Sequence, residues 1–156
     1  MPFALGFDSL RSLCERCGLA FKTNEDTGQI AVLHRVLEQD APIYLVPHAG
    51  RALVSCVLPL PFRVPPDRMA AVGEAAMRLN AAGCAGCWTL DPGSGALSFR
   101  VTLAAHGVAY DDDGVLFVTR VVASAVDAAA ADLQQIALAG RSSLELWPRA
   151  GVVPGG

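Results

Sequence analysis

The chain predicts an α+β protein whose strands pair antiparallel, in the order α-β-β-β-α-β-β-α, and three observations carry that reading. Residues 88–103 alternate as a hairpin around Asp91-Pro92-Gly93-Ser94-Gly95, with Leu97, Phe99, Val101 and Leu103 on one face and Ser98, Arg100 and Thr102 between them. Upstream, three apolar runs are joined by short Gly/Pro/Asn/Asp turns, the pattern of an antiparallel meander. Around these stand three stretches with apolar residues at helical spacing.

Phe3, Phe7, Leu10, Leu13, Cys14 and Cys17 trace the first helix, which Gly18 stops. A strand starts at Phe21–Thr23, breaks at residues 24–28 and resumes at Gln29, with Ile30, Val32, His34 and Val36 on one face and Ala31, Leu33, Arg35 and Leu37 on the other. Residues 38–42 turn the chain into Ile43–Val46, and Pro47-His48-Ala49-Gly50 turns it again into Ala52–Leu58. Pro59, Pro61, Pro65 and Pro66 then predict a stiff crossover without regular structure. Pro65-Pro66-Asp67 opens the second helix with fixed φ and an Asx cap. Asp67, Ala71, Glu74 and Arg78 make its polar face, and Glu74 stands four residues before Arg78 as a helical ion pair. Val115, Val118, Val122, Val126, Ala129, Leu133 and Ile136 form the stripe of a third helix ended by Gly140; the β-branched run Val115–Val122 would also suit a strand, and the Ala-rich continuation through Ala128–Ala131 favours helix. One domain over 1–150 and a flexible tail over 151–156 follow.

With an apolar fraction of 53% and a mean hydropathy of +0.40, the 156 residues hold more apolar surface than one globule hides, so part of it is expected to meet a second chain. A net charge of −3 without a basic run makes nucleic acid an unlikely direct partner. No stretch reaches the roughly 18 uninterrupted apolar residues of a membrane span, and the N-terminus lacks the plan of a signal peptide. Five cysteines, an odd number, fit a reducing compartment. The expected setting is the cytoplasm, away from the membrane.

Order and residues together resemble the YbjN-like group of bacterial proteins and the type III secretion chaperones, over about Leu5 to Ala139. The local likeness is Ala75-Ala76-Met77-Arg78-Leu79-Asn80, then Cys87-Trp88-Thr89-Leu90-Asp91 and Ala96-Leu97-Ser98-Phe99-Arg100. It is similar to a family helix ending in Leu-Asn, a strand, a turn and a strand carrying an Arg. The resemblance implies a twisted antiparallel five-stranded sheet with helices packed on it, a homodimer, and a chaperone- or adaptor-like task of binding another protein or peptide without catalysis. Members of the group are often labelled sensory transduction regulators.

Candidate chemistry is sparse. Cys14-Glu15-Arg16-Cys17 and Cys84-Ala85-Gly86-Cys87 could offer four thiolates to zinc, yet their separation exceeds that of zinc ribbons, and Cys14 and Cys17 extend an apolar helical face. His34, His48 and His106 lack the spacing that puts two imidazoles on one ion. Asp111-Asp112-Asp113-Gly114 misses the alternating ligands of a calcium loop and suits a helix N-terminus. Gly93-Ser94-Gly95 is a hairpin tip and no nucleophile elbow. No catalytic residue, metal ligand or cofactor is assigned.

The second helix carries the functional reading. Met69, Val72, Ala76 and Leu79 form one apolar strip, and Ala70, Gly73 and Met77 form a flatter one beside it. That width asks for two partners, the protein's own sheet and another protomer, which makes Met69, Ala70, Val72, Gly73, Ala76 and Met77 the expected dimer or partner interface. The sheet face near Ser98, Arg100 and Thr102 is a second contact candidate, and open strand edges could take an extended peptide. The alternative is a small-ligand or zinc-binding regulatory module.

Overall fold

A computed structural model describes residues 6–48, 50–83, 85–104 and 111–146. Helix α1 spans Phe7–Arg16, then strands β1 Phe21–Asn24, β2 Gln29–Val32, β3 Arg35–Val36, β4 Gln39–Asp40, β5 Ile43–His48 and β6 Leu53–Arg63 follow. Helix α2 covers Met69–Ala82, β7 Cys87–Leu90, β8 Ala96–Ala104 and α3 Asp112–Leu138. Six strands form one antiparallel sheet in the order β1-β2-β5-β6-β8-β7, and β3 pairs only with β4. The α+β class holds, with six strands in the main sheet where five were expected.

One split accounts for the sixth strand, and a second departure adds the separate β3–β4 hairpin. Phe21–Thr23 and the segment from Gln29 are separate strands across a turn, in which the Asn24 side chain accepts from the Thr27 N–H at 3.2 Å. The second strand also ends at Val32, so that His34 lies in a loop and β3 and β4 form a small hairpin of their own. Its two turn residues, Leu37 and Glu38, take φ of 52° and 63°. Neither is a residue type that favours such a turn.

Proline placement corrects the expected crossover and the turn at Pro47. Strand β5 runs through Pro47 to His48, and β6 runs through Pro59 and Pro61 to Arg63. Strand β2 pairs with β5 only between Ile43 and Leu45, and the β5–β6 pairing ends at Tyr44 opposite Val57. All three prolines therefore sit where their strand has a neighbour on one side, and the missing N–H leaves no ladder bond unmade. A bulge between Pro59 and Arg63 absorbs the remaining irregularity.

One face of the sheet is covered. Ile30, Leu45, Val54, Cys56, Leu58, Leu97 and Phe99 point inward and join Leu10, Leu13 and Cys14 of α1, Val72 and Ala75 of α2, and Val122, Val126, Leu133 and Ile136 of α3 in one buried cluster. Helix α3 lies across β5, β6 and β8, α1 over β2, and α2 against β7 and α3. At 27 residues, α3 is long and apolar enough to cross a membrane by length and composition, but its Val115-to-Ile136 stripe is the lid of this core. The proposed tail, 151–156, lies outside the described residues.

Helix ends are tied by side chains from elsewhere. Asp111 caps α3 by accepting from the Gly114 N–H at 2.8 Å, as the acidic run suggested. Arg16 of α1 grips Asp112 with two hydrogen bonds of 2.7 and 3.0 Å, which holds that carboxyl below its ordinary range. The link is present at neutral pH and is lost as pH falls through the lowered value. Asp67, by contrast, caps nothing: α2 starts from a 3-10 turn, Pro66–Arg68, without a side-chain cap. Its neighbour Arg68 donates to the Ile136 and Arg141 carbonyls at 2.9 and 3.0 Å, fastening the start of α2 to the end of α3.

The hairpin is seated by glycine and asparagine. Gly95 has a φ of 68°, and a Cβ there would stand 2.4 Å from the Val64 oxygen. Asn80, at the end of α2, accepts from the Trp88 N–H at 2.6 Å and donates to its carbonyl at 3.0 Å, so one side-chain amide occupies the outer edge of β7 as a strand would. Trp88 then meets Phe99 edge to face at 5.3 Å. Asn80→Ala is expected to cost about 1–3 kcal/mol and to loosen Trp88. Urea unfolding followed by tryptophan fluorescence measures both, and an unchanged midpoint would refute the clamp.

Candidate functional site

The six residues named on α2 divide by depth. Val72 is 0% exposed and Ala76 6%, both inside the chain's own core, and Met69 packs against that core from its margin. Ala70 is exposed, Met77 is 66% exposed, and Gly73 between them lies 4.0 Å from Leu90 Cδ2 by its notional Cβ. The first strip is therefore the inner one, and a partner would meet Ala70, Gly73 and Met77. Helical periodicity finds the two strips, while only the packing decides which of them faces out. The Glu74–Arg78 pair forms as spaced, with contacts of 2.6 and 3.1 Å, and this partner is the main reason Glu74 is held below its ordinary pKa.

Opposite the helices, the second face of the sheet carries no described helix. Arg100 and Thr102 are exposed there, and Ser98 is half-buried and bonded to Thr89 Oγ1 at 2.9 Å. In the same layer, Ser55 is 3% exposed and lies 2.8 Å from His48 Nε2 and 3.3 Å from Thr102 Oγ1. A serine so enclosed offers no hydroxyl to a substrate, and the trio reads as a polar ladder across three strands. Of the sheet edges, β7 is occupied at Trp88 by Asn80, while β1 pairs on one side only.

Cysteines do not converge. Cys14 of α1 and Cys17 at its C-cap lie over β2, whereas Cys87 is on β7, four inter-strand steps or about 19 Å away, and alternation with inward Trp88 turns it to the other face. Cys84 lies outside the described residues, among which no group of three potential ligands forms. Burial, with Cys17 nearby, pushes Cys14 up to about 11, and burial pushes Cys56 up to about 12. His34 Nε2 is 3.5 Å from Asp127 Oδ1, His48 bonds Ser55, and His106 lies outside the described residues. At the hairpin tip, Ser94 Oγ bonds Asp91, whose carboxylate also accepts from the Gly93 and Ser94 N–H groups at 3.2 Å. Those bonds, the serine hydroxyl first, hold Asp91 below its ordinary pKa. Ser94 is thus a turn residue.

A shallow cleft of about 300 Å³ opens where β6 has outrun β5, walled by Pro42, Pro59, Pro61 and Phe62 with Asp40 and Arg63 in its lining. Its surface is shared about evenly between polar and apolar atoms, and Asp40 and Arg63 are the charged side chains in its lining. Sequence reading missed it because it depends on where pairing with β5 stops.

Reactivity follows burial. At pH 8, among the described cysteines, exposed Cys87 is expected to react with a disulfide reagent first, and Cys14 and Cys56 only on unfolding. Fast labelling of Cys56 in the folded protein would contradict this core.

No family model and no curated protein matches the chain. Two solved structures share its fold. One is YbjN of E. coli, a candidate transcription regulator, at a TM-score of 0.66 and 14% identity over 85% of this chain and 96% of that one. The other is an uncharacterized protein from Methanothermobacter thermautotrophicus, at 0.55 and 12% over 83% and 97%. The chain has a YbjN-like fold, and neither of these neighbours is described as an enzyme.

Proposed function

We propose that this chain is a non-enzymatic regulatory protein of the cytoplasm that acts by binding another protein, as a chaperone or adaptor, and does so as a homodimer. The observation that carries the reading is the outer strip of α2. Ala70, Gly73 and Met77 present a flat, small-then-flexible apolar surface on a helix whose other strip is already buried. Small residues let a second helix approach closely, and an exposed methionine adapts to its surface. The regulator description of YbjN supports the regulatory half of the proposal, and the absence of a convergent nucleophile, base or ligand set among the described residues is compatible with a binding role.

Light scattering after size exclusion, at low and high micromolar concentration, is expected to give twice the chain mass at both. Met77→Glu should raise the dimer dissociation constant at least about tenfold, since it drives a charge into an apolar contact, while leaving the fold intact because Met77 touches no core. A monomer at high concentration would overturn the proposal.

A further inference from the structure

The strands of the main sheet carry Lys22, His48, Arg63 and Arg100 but none of the protein's 15 acidic residues. Every Asp and Glu lies in a helix, a turn, a loop or the β3–β4 hairpin. In a chain of net charge −3 the strands of the main sheet are thus free of acids. It matters on the face without a described helix, where register aligns Lys22, Ala31, Tyr44, Val57, Arg100 and, last, Cys87 in one row across six strands. Lys22 and Arg100 are cationic and exposed, and the row between them is half-buried aliphatic and aromatic carbon. Lys22 and Arg100, like Arg51, Arg63, Arg68 and Arg120, make no ion pair among the described residues, whereas Arg11, Arg16, Arg35, Arg78 and Arg141 have carboxylate partners.

We propose that this face docks an acidic, extended segment of a partner protein, laid across the strands with a carboxylate on Lys22, another on Arg100, and apolar side chains on Tyr44 and Val57. The proposal rests on the protein-binding reading above and names its site and partner chemistry. Dimensions set the pattern. Lys22 and Arg100 are four inter-strand steps apart, about 19 Å at the usual spacing, and an extended chain covers that in about six residue-to-residue steps. Positions i, i+2, i+4 and i+6 of such a chain face the same way, so the fitting segment reads acid-x-apolar-x-apolar-x-acid. Complementary charge supplies orientation and rejects basic segments, while the carbon surface at the centre supplies burial.

The test is an NMR titration of the full chain with the capped peptide Glu-Ser-Leu-Ser-Phe-Ser-Glu and with its twin carrying Lys at both ends. The acidic peptide is expected to shift the amides around Lys22, Tyr44, Val57 and Arg100, and to bind more weakly as salt rises from about 50 to about 500 mM. The Lys22→Glu/Arg100→Glu variant should lose at least about tenfold in affinity for it and prefer the basic twin. Equal binding of both peptides, shifts confined to α2, no binding at all, or stronger shifts of the same row by oligothymidylate would overturn the proposal. Protection of the row by a second copy, growing with protein concentration before peptide is added, would overturn it too. Light scattering on the same samples separates this failure from failure of the dimer, which engages α2.

Discussion

Everything in this fold depends on the burial of one face of the sheet beneath α3. The inward residues of β5, β6 and β8 and the inward stripe of α3 belong to one cluster, in which Leu45, Leu58, Val122, Val126, Leu133 and Ile136 are almost fully enclosed. Burying one such side chain contributes about 1.5–3 kcal/mol, whereas an exposed ion pair contributes about 0–1. The apolar stripe therefore decides the layer arrangement, and Arg16–Asp112 and the Arg68 bonds to the end of α3 fix its angle and ends. With the centre of the sheet taken by α3, α1 is left to cover β2, and α2 reaches only β7 and the flank of α3.

Two surfaces are left over by that arrangement, and the functional reading lives on them. Helix α2 shows the solvent an apolar strip because its amphipathic width exceeds what β7 and α3 cover. The far side of the sheet stays free of described helices, and its strands present carbon, hydroxyl and amide groups with Lys22 and Arg100 but no acid. A protein with two such surfaces can join its own copy through one and a client through the other. Nothing in this division needs a reactive group, which agrees with buried thiols of raised pKa and a serine sealed beneath His48.

Legibility in the sequence followed the range of the interactions. The 88–103 hairpin, the stripe of α3, the Asp111 cap and the Glu74–Arg78 pair are local, and each was readable from spacing alone. The β3–β4 hairpin was not, since Leu37 and Glu38 hold left-handed backbone without being turn residues. Pro59 and Pro61 signalled a break but fall inside a strand, because pairing with β5 had ended on one side, a non-local fact. Arg68 and Asn80 escaped notice as structural residues for the same reason: their partners lie 68 and 8 positions away, across helix and sheet boundaries. At the candidate interface, periodicity found both strips of α2, but Val72 and Ala76 proved to be core, and only Ala70, Gly73 and Met77 remain for a partner.

Hydrogen exchange read by mass spectrometry at low and high protein concentration tests this division most directly. The account predicts slowest exchange in β5, β6, β8 and α3 at both concentrations, with protection that grows with concentration only in the peptide covering α2. Exchange in β6 as fast as in the edge strand β1, or an α2 whose protection ignores concentration in a protein that remains monomeric, would contradict it.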